Sequence, residues 1–455
     1  MGETAPSERK YRVAVVGGAG MWGRHYLRTY AERPDCEVVG LVDRARERRE
    51  EFARRHGVSA TYDSVEELLA VTVPDIVSAI VPVGQNWPVV KACAEAGVRV
   101  VSCEKPISAV LSEADAMVAL CRQQGTLLAC GQAAWATPRM PEVLQWVGEG
   151  NIGRLTGAAI PGGLPVEVSG AGCVQLAGLR MLTRMEVEWV EGWELPPVAG
   201  YVAPNTDPIE ADVPVYGRLG LSGGIVCEVL EPKPEAHSSC HLSATGENGQ
   251  VWLSRPRPVL VQGTGAAAMP VFPGFLDGEG GDFFAGTIQR LVDAFASGSE
   301  PLSSGDDYRH ALETAIALKL SAARGHARVA LPLADRTHRL LPHPYRLFGG
   351  DVAGWQSIGY SGPPQVPVEL RAVATFAELE NVSRHDMQML LREVDQKDLV
   401  LALLGAGERL QHRVFHNVSE RVRDFIKGEM AAAAATPAAQ IEAAQQRIVE
   451  IAHRV

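Results

Sequence analysis

Between Tyr11 and Gly131 short β-branched runs alternate with helical patterns, and this alternation restricts the fold more than any other feature of the chain. YRVAVVG, CEVVGLVD, DIVSAIVP, VRVVSCEKP and TLLACG are continuous apolar runs rather than alternating ones. Strands of that kind are buried on both faces, so the segment is expected to be an α/β, doubly wound parallel sheet covered by helices. The first run leads into VAVVGGAGMWGRHY, where Gly18, Gly20 and Gly23 form a G-x-G-x-x-G between a predicted strand and a predicted helix. In that context the first glycine permits a tight turn, the second lets backbone approach a pyrophosphate, and the third allows helix to pack on strand. The helix N-terminus then offers N–H groups and partial positive charge to phosphates. A glycine-rich turn can also form without a ligand, and Asp43 shifts the balance. It stands twenty residues past Gly23 at the end of the second run, where a carboxylate accepts hydrogen bonds from ribose hydroxyls. It would also repel a 2′-phosphate, which favours NAD, whereas the adjacent Arg44 and Arg46 leave NADP open. Residues 11–131 are thus expected to be a Rossmann-type NAD(P)-binding domain, with Met21, Trp22, Pro82, Glu104 and Lys105 among the further cofactor contacts.

From residue 132 the pattern changes to longer alternating strands such as EVEWVEGW and VYGRLGLSGGIVCEVLE, then helices over Asp282–Ser297 and Gly305–Arg324 and the strand HARVALPL. Residues 132–332 read as an α+β domain with a mostly antiparallel, open sheet. Residues 333–372 are rich in Pro, Gly and aromatics and read as a connector whose Trp355 and Tyr360 pack onto something. Residues 373–455 are helical throughout and form a small all-α domain. With 46% hydrophobic residues over 455 positions the chain can bury large cores. A net charge of −11 and scattered arginines argue against a nucleic-acid partner. No run approaches 18 apolar residues, and the start lacks the apolar stretch of a secretion signal, so no membrane contact and a cytoplasmic setting are expected. The eight cysteines form no CxxC pair and read as buried thiols, and His412 and His416 lack a nearby third ligand, so no metal is expected.

At CEKP (Cys103–Pro106), preceded by AEAGVRVV and by Val81-Pro82, the chain resembles the Gfo/Idh/MocA oxidoreductases, over about residues 11–332. The resemblance implies a Rossmann domain, a sheet domain whose open face dimerises, and hydride transfer between nicotinamide and a carbinol or carbonyl carbon of a small sugar or polyol. It also implies that Lys105 hydrogen-bonds the reacting hydroxyl, that Glu104 orients Lys105, and that Pro106 fixes the turn. The chemistry needs such a group, because a proton must leave or join the oxygen as hydride moves. Three positions depart from the family. Asn86 stands where a histidine is common, among the expected cofactor contacts. GCVQLAGLRMLTR lacks the usual histidine, leaving Arg180 and Thr183 as candidate substrate contacts, and Trp135 falls near the usual arginine. Either Lys105 works alone or with another partner, or the domain is a dinucleotide-binding scaffold or sensor without turnover.

The last eighty residues, with LLREVDQKDLVLALLGA (390–406), HNVSERVRDFIKGEM and IEAAQQRIVEIAHRV, resemble the C-terminal domain of the flagellar motor switch protein FliG. Of the charges that meet the stator in that family, the ALKGA lysine is Leu404, the paired aspartates are Gly428 and Glu429, and Arg421 survives. The resemblance therefore implies the fold and a docking or oligomerisation role with a protein partner, not torque generation. Met389, Leu390, Leu399, Leu401 and Leu403 are expected to form its core.

Overall fold

The computed structural model describes residues 9–131, 139–164, 166–198, 200–201, 207–232, 240–255, 257–277, 282–349, 355, 357, 370–382, 384–418, 420–433 and 435–454. The chain divides into two compact units, Met1–Gly362 and Pro363–Val455. In the first, strands β1 (Tyr11–Val16), β2 (Cys36–Val42), β3 (Thr61–Tyr62), β4 (Ile76–Ala79), β5 (Val100–Cys103) and β6 (Leu127–Cys130) form one sheet in the order β3-β2-β1-β4-β5-β6. Every pairing is parallel. β4 and β5 are buried at every residue, which is why their sequences show no alternation. Helices α1 (Gly23–Ala31), α2 (Arg46–Arg55), α3 (Val65–Val71), α4 (Asn86–Glu95) and α5 (Leu111–Gln124) make the crossovers.

After α6 (Met140–Gly148), strands β7 (Leu155–Ile160), β8 (Val187–Glu194), β9 (Val215–Leu221), β10 (Ile225–Val229), β11 (Cys240–Gly246), β12 (Gly249–Ser254), β13 (Val259–Gln262), β14 (Met269–Val271) and β15 (Val329–Ala330) build a nine-stranded sheet, ordered β14-β13-β12-β11-β7-β10-β9-β8-β15. It is antiparallel except where β7 meets β10. α7 (Cys173–Thr183) and α9 (Gly305–Ala323) pack on one face. On β10 the side chains alternate between buried and exposed, with Val226 and Glu228 on the other face. α8 (Phe283–Ser297) follows this sheet in sequence but packs on the first one. Its Phe284, Ile288, Leu291 and Val292 join Val13, Val15 and Tyr26 in one core.

Of the segment expected to be a connector, residues 333–349 are instead built into the first unit. Leu340 N–H donates to the Ala109 carbonyl at 2.8 Å, Leu341 N–H to that of Glu210 at 2.7 Å, and Leu340 is fully buried. α10 (Pro344–Phe348) follows. Trp355 is buried, its ring 5.7 Å from that of Phe52 and its Nε1–H donating to Glu47 at 2.8 Å; Tyr360 lies outside the described residues. A carboxylate cluster fixes this segment. Glu313 of α9, almost wholly buried, accepts from Leu333 N–H at 2.8 Å and pairs with Arg309 and Arg336, while Arg336 also pairs with Asp115 of α5 at 2.7 Å.

The second unit holds α11 (Arg384–Glu393), α12 (Gln396–Leu404), α13 (Glu408–Phe415), α14 (Glu420–Ala432) and α15 (Ala438–Ala452). Leu390, Leu399 and Leu403 are in its core and Leu401 packs against it. Met389 is 37% exposed, because the buried positions of α11 are Met387 and Leu390 and residue 389 turns away from both. Among the described residues, no helix is long and apolar enough to cross a membrane.

Replacing Glu313 by Ala strips two arginines and a backbone N–H of their buried acceptor. A loss of about 3–5 kcal/mol is expected in urea denaturation; an unchanged midpoint would contradict the bracing role.

Candidate active site at the switch point of the parallel sheet

β1 and β4 are neighbours whose following loops turn to opposite sides, and a crevice opens between them. Gly17 ends β1 with φ +76°, and a Cβ there would fall on the Ile80 carbonyl. The tight turn therefore belongs to Gly17, one residue before the expected Gly18. Gly18 is needed for another reason, since a Cβ there would strike the side chains of Leu41 and Val15. Gly23 has its expected role: a Cβ would collide with the Gly17 carbonyl, so α1 can sit directly against the strand end. α1 has no acidic residue in its first turn and Trp22, which has no acceptor to offer, at its N-cap. Nothing there competes with an incoming phosphate.

Asp43 is aimed at this loop. Its Oδ2 accepts from Ala19 N–H at 3.0 Å and its Oδ1 from Ala45 N–H at 2.8 Å. A carboxylate offers about four acceptor sites, which is the chemistry that ribose hydroxyls require. Arg44 is exposed beside it, whereas Arg46 is paired with Glu50 at 2.7 Å.

The loop after β5 carries Glu104 and Lys105 to the same edge, with the Lys105–Pro106 peptide bond cis. Asn86 holds that loop. Fully buried, it directs Nδ2 at the carbonyls of Glu104 (2.8 Å), Pro106 (3.1 Å) and Ile107 (3.1 Å), and so shapes the turn from beneath rather than lining the crevice. Glu104 lies 3.4 Å from the Tyr26 hydroxyl, and burial raises its pKa against the opposing pull of Lys105. Lys105 Nζ donates to the Gly170 carbonyl at 3.1 Å.

The resulting cavity of about 590 Å³ is lined by Gly20, Met21, Trp22, Pro82, Glu104 and Lys105 among the expected residues. Tyr26, Val174, Phe283, Phe284, Tyr345, Arg346 and Ser357 also line it and were not expected. Arg180 and Thr183 are elsewhere. Arg180 is bound up with Glu186, Asp306 and Asp307, and Thr183 is buried with its hydroxyl on the Leu179 carbonyl at 2.8 Å. The reason is helical phase: from Val174, which faces the cavity, six and nine residues rotate by about 240° and 180°. Trp135 lies outside the described residues.

The loop before α7 completes the site. Asp212, fully buried, accepts from Ser169 N–H (2.9 Å), Ser169 Oγ–H (2.6 Å) and Gly170 N–H (2.8 Å), and so sets the carbonyl that meets Lys105. Burial, helped by the nearby Glu167 charge, pushes the Asp212 carboxyl up to about 6. No local motif marks Asp212 or Arg346 in the sequence; only chain folding brings them to Gly170.

An unfolded aspartate titrates near about 3.9, so between that pH and about 6 the folded protein keeps a proton that the unfolded chain has lost. Stability is then expected to fall as pH rises through this window, by on the order of 3 kcal/mol, and to level off above it. Urea midpoints of the wild type and Asp212→Asn from pH 4 to 7 check this, since a stability difference that does not vary with pH would exclude it.

Comparison with known proteins agrees with this geometry. Residues 11–132 match the family described as oxidoreductase family, NAD-binding Rossmann fold (Gfo/Idh/MocA), and residues 370–455 match the FliG C-terminal domain. D-apiose dehydrogenase of Paraburkholderia graminis is 26% identical over 150 residues, 33% of this chain and 40% of that protein. The flagellar motor switch protein FliG of Thermotoga maritima is 33% identical over 93 residues, 20% of this chain and 28% of its own length. The chain thus spans well under half of either relative. The structure of the aldose-aldose oxidoreductase from Caulobacter crescentus complexed with glycerol superposes with a TM-score of 0.58 at 21% identity, covering 71% of this chain and all of that one, a likeness of fold.

Proposed function

We propose, from the premise that residues 11–132 belong to an NAD-binding Rossmann oxidoreductase family, that the first unit is an NAD(P)-dependent oxidoreductase acting on a carbinol or carbonyl carbon of a sugar, polyol or related small molecule. The observation that carries this reading is that Gly20 of the glycine loop and Lys105 line one cavity at the β1–β4 switch point, while Asp43 accepts a hydrogen bond from Ala19 N–H of the same loop. The loop fits a dinucleotide because Gly17, Gly18 and Gly23 leave no room for side chains where backbone must come close, and α1 presents an acid-free first turn. Bound there, NAD would supply the hydride acceptor, and Asp43 favours it over NADP.

This chain's own residues would then do four things. Asp43 holds the ribose, and the α1 N-terminus holds the pyrophosphate. Lys105 donates a hydrogen bond to the reacting oxygen and carries the proton at Nζ. Glu104 and the Gly170 carbonyl keep the Lys105 ammonium in place. Phe283, Phe284 and Trp22 cover the cavity with apolar surface and limit water. Substrate binding, turnover and a protein partner for the helical unit are parts of the same proposal, as is dimerisation through the uncovered face of the nine-stranded sheet. That face carries Trp189, Trp193, Tyr216 and Trp252, all half-buried.

A second reading, a cofactor-holding scaffold that acts through the helical unit, is favoured by one observation: neither Arg180 nor Thr183 of α7 reaches the cavity. Fluorescence titration with NADH and NADPH comes first, with NADH expected to bind more tightly and Asp43→Ala to weaken it about tenfold or more. Lys105→Ala is expected to lower kcat by about 10²–10⁴ with cofactor affinity within about threefold. NADH binding without turnover of any sugar, polyol or acid would favour the scaffold, and no binding of either cofactor would end both readings. For the dimer, Val226→Arg on β10 is expected to halve the mass seen in sedimentation, and a wild-type monomer would refute it.

A further inference from the structure

Two cations that line the cavity meet at one glycine beside it. Lys105 Nζ lies 3.1 Å from the Gly170 carbonyl oxygen, and a Cβ built on Gly170 would stand 3.0 Å from Arg346 Nε. The ammonium and the guanidinium therefore flank a single residue, although one comes from the loop after β5 and the other from α10. Arg346 is held in a fixed pose. Its Nε and Nη2 reach Glu167 Oε2 at 3.0 and 2.9 Å, and Nη2 also reaches the Tyr345 hydroxyl at 3.0 Å. Glu167 is fixed in turn, since its other oxygen accepts from His343 N–H at 2.6 Å and its side chain is 2% exposed.

A guanidinium carries five N–H donors in a planar fork. Glu167 and Tyr345 occupy the Nε and Nη2 edge, and among the described residues none reaches Nη1, while Arg346 lines the cavity. Glu167 pairs with Arg346, and among the described residues no carboxylate forms a salt bridge with Lys105. The cavity otherwise offers mainly apolar and aromatic surface to a ligand.

We propose that Arg346 is a preformed seat for an anionic group of the substrate, a carboxylate or phosphate borne a few ångström from the hydroxyl that Lys105 holds. The inference rests on the oxidoreductase reading of Lys105 and narrows its substrate class from sugars and polyols in general to sugar acids or sugar phosphates. A guanidinium already locked by a buried carboxylate loses little further freedom on binding, and its free edge can make charge-assisted hydrogen bonds that a neutral polyol could not match in strength.

The test compares matched compounds, neutral aldoses and polyols against the corresponding aldonic and uronic acids and sugar phosphates, with NAD and the full chain. The wild type is expected to show kcat/KM at least about tenfold higher for one anionic class than for its neutral counterparts, and the class that wins separates carboxylate from phosphate. Arg346→Gln is expected to lower kcat/KM for the anion about tenfold to a hundredfold, mainly through KM, and so to narrow or abolish the preference for the anion over its neutral counterpart. Because Arg346→Gln leaves the Glu167 charge buried without its partner, Arg346→Lys and the double variant Glu167→Gln/Arg346→Gln accompany it, each checked for a cooperative thermal transition. The double variant should lose the anion preference and the lysine variant should keep part of it.

Equal or better turnover of neutral compounds would overturn the inference while leaving hydride transfer standing. If nothing is turned over, tryptophan fluorescence provides a second readout, since Trp22 lines the same cavity. A response to the anions alone, abolished in the double variant, would support the seat and place the failure on the oxidoreductase reading. No such response would overturn the seat as well.

Discussion

Six parallel strands must all end at the same edge of their sheet, and the chemistry of the first unit follows from that constraint. The loop after β1 brings the Gly17 turn to this edge, the end of β2 brings Asp43, the loop after β4 brings Pro82, and the loop after β5 brings Glu104 and Lys105. These four loops are far apart in sequence. The parallel arrangement requires helical crossovers on both faces, and those helices bury β4 and β5 completely. Core burial and site assembly are therefore one event: a chain that forms the sheet has also gathered the groups on one side of it.

Part of the cavity wall comes from outside that sheet and its loops. α8 leaves the second sheet and packs on the first, placing Phe283 and Phe284 over the glycine loop, and α10 brings Tyr345 and Arg346 against the loop before α7. The bracing that makes this possible is ionic and buried. Glu313 ties Arg309, Arg336 and Leu333, and Glu167 ties Arg346 and His343. Such groups contribute little net stability compared with apolar packing, but each becomes costly if a partner is lost, so they fix a single arrangement of chain segments far apart in sequence.

What the sequence made legible were the features set by local geometry. The glycine loop, Asp43 at the end of β2 and the Glu104-Lys105 turn after β5 depend on spacing within one strand-turn-helix unit, and each lies where that spacing places it. The one local error was small: Gly17 rather than Gly18 takes the positive φ, because two adjacent glycines offer two places for the turn and contact with Ile80 decides between them. Arg180 and Thr183 failed for a different reason. A polar residue on a helix can be found by reading, but the face that helix turns to the site is set by packing, and Val174 rather than Arg180 faces the cavity. Asn86 shows the same distinction in depth. It sits at the expected place in the chain, yet beneath the loop, where its amide satisfies three carbonyls. Residues 333–372 read as a connector because proline, glycine and aromatics hide the backbone pairings that stitch 333–349 in. Asp212, Glu167 and Arg346 had no local signature at all.

The helical unit separates fold from partner with unusual clarity. Met387, Leu390, Leu399, Leu403, Ile426 and Ile448 are buried together in the core on which the helices pack. The outward positions follow different rules. Gly428 is exposed in α14, and a Cβ there would meet nothing within contact distance, so packing does not require a glycine. Glycine inside a helix costs roughly 1 kcal/mol relative to alanine. A position that tolerates that cost without a structural return is not maintained by the fold, and the neighbouring Phe425 and Glu429 are likewise exposed. The match to the FliG C-terminal domain therefore rests on the apolar positions, while the charges of the outward surface are this chain's own.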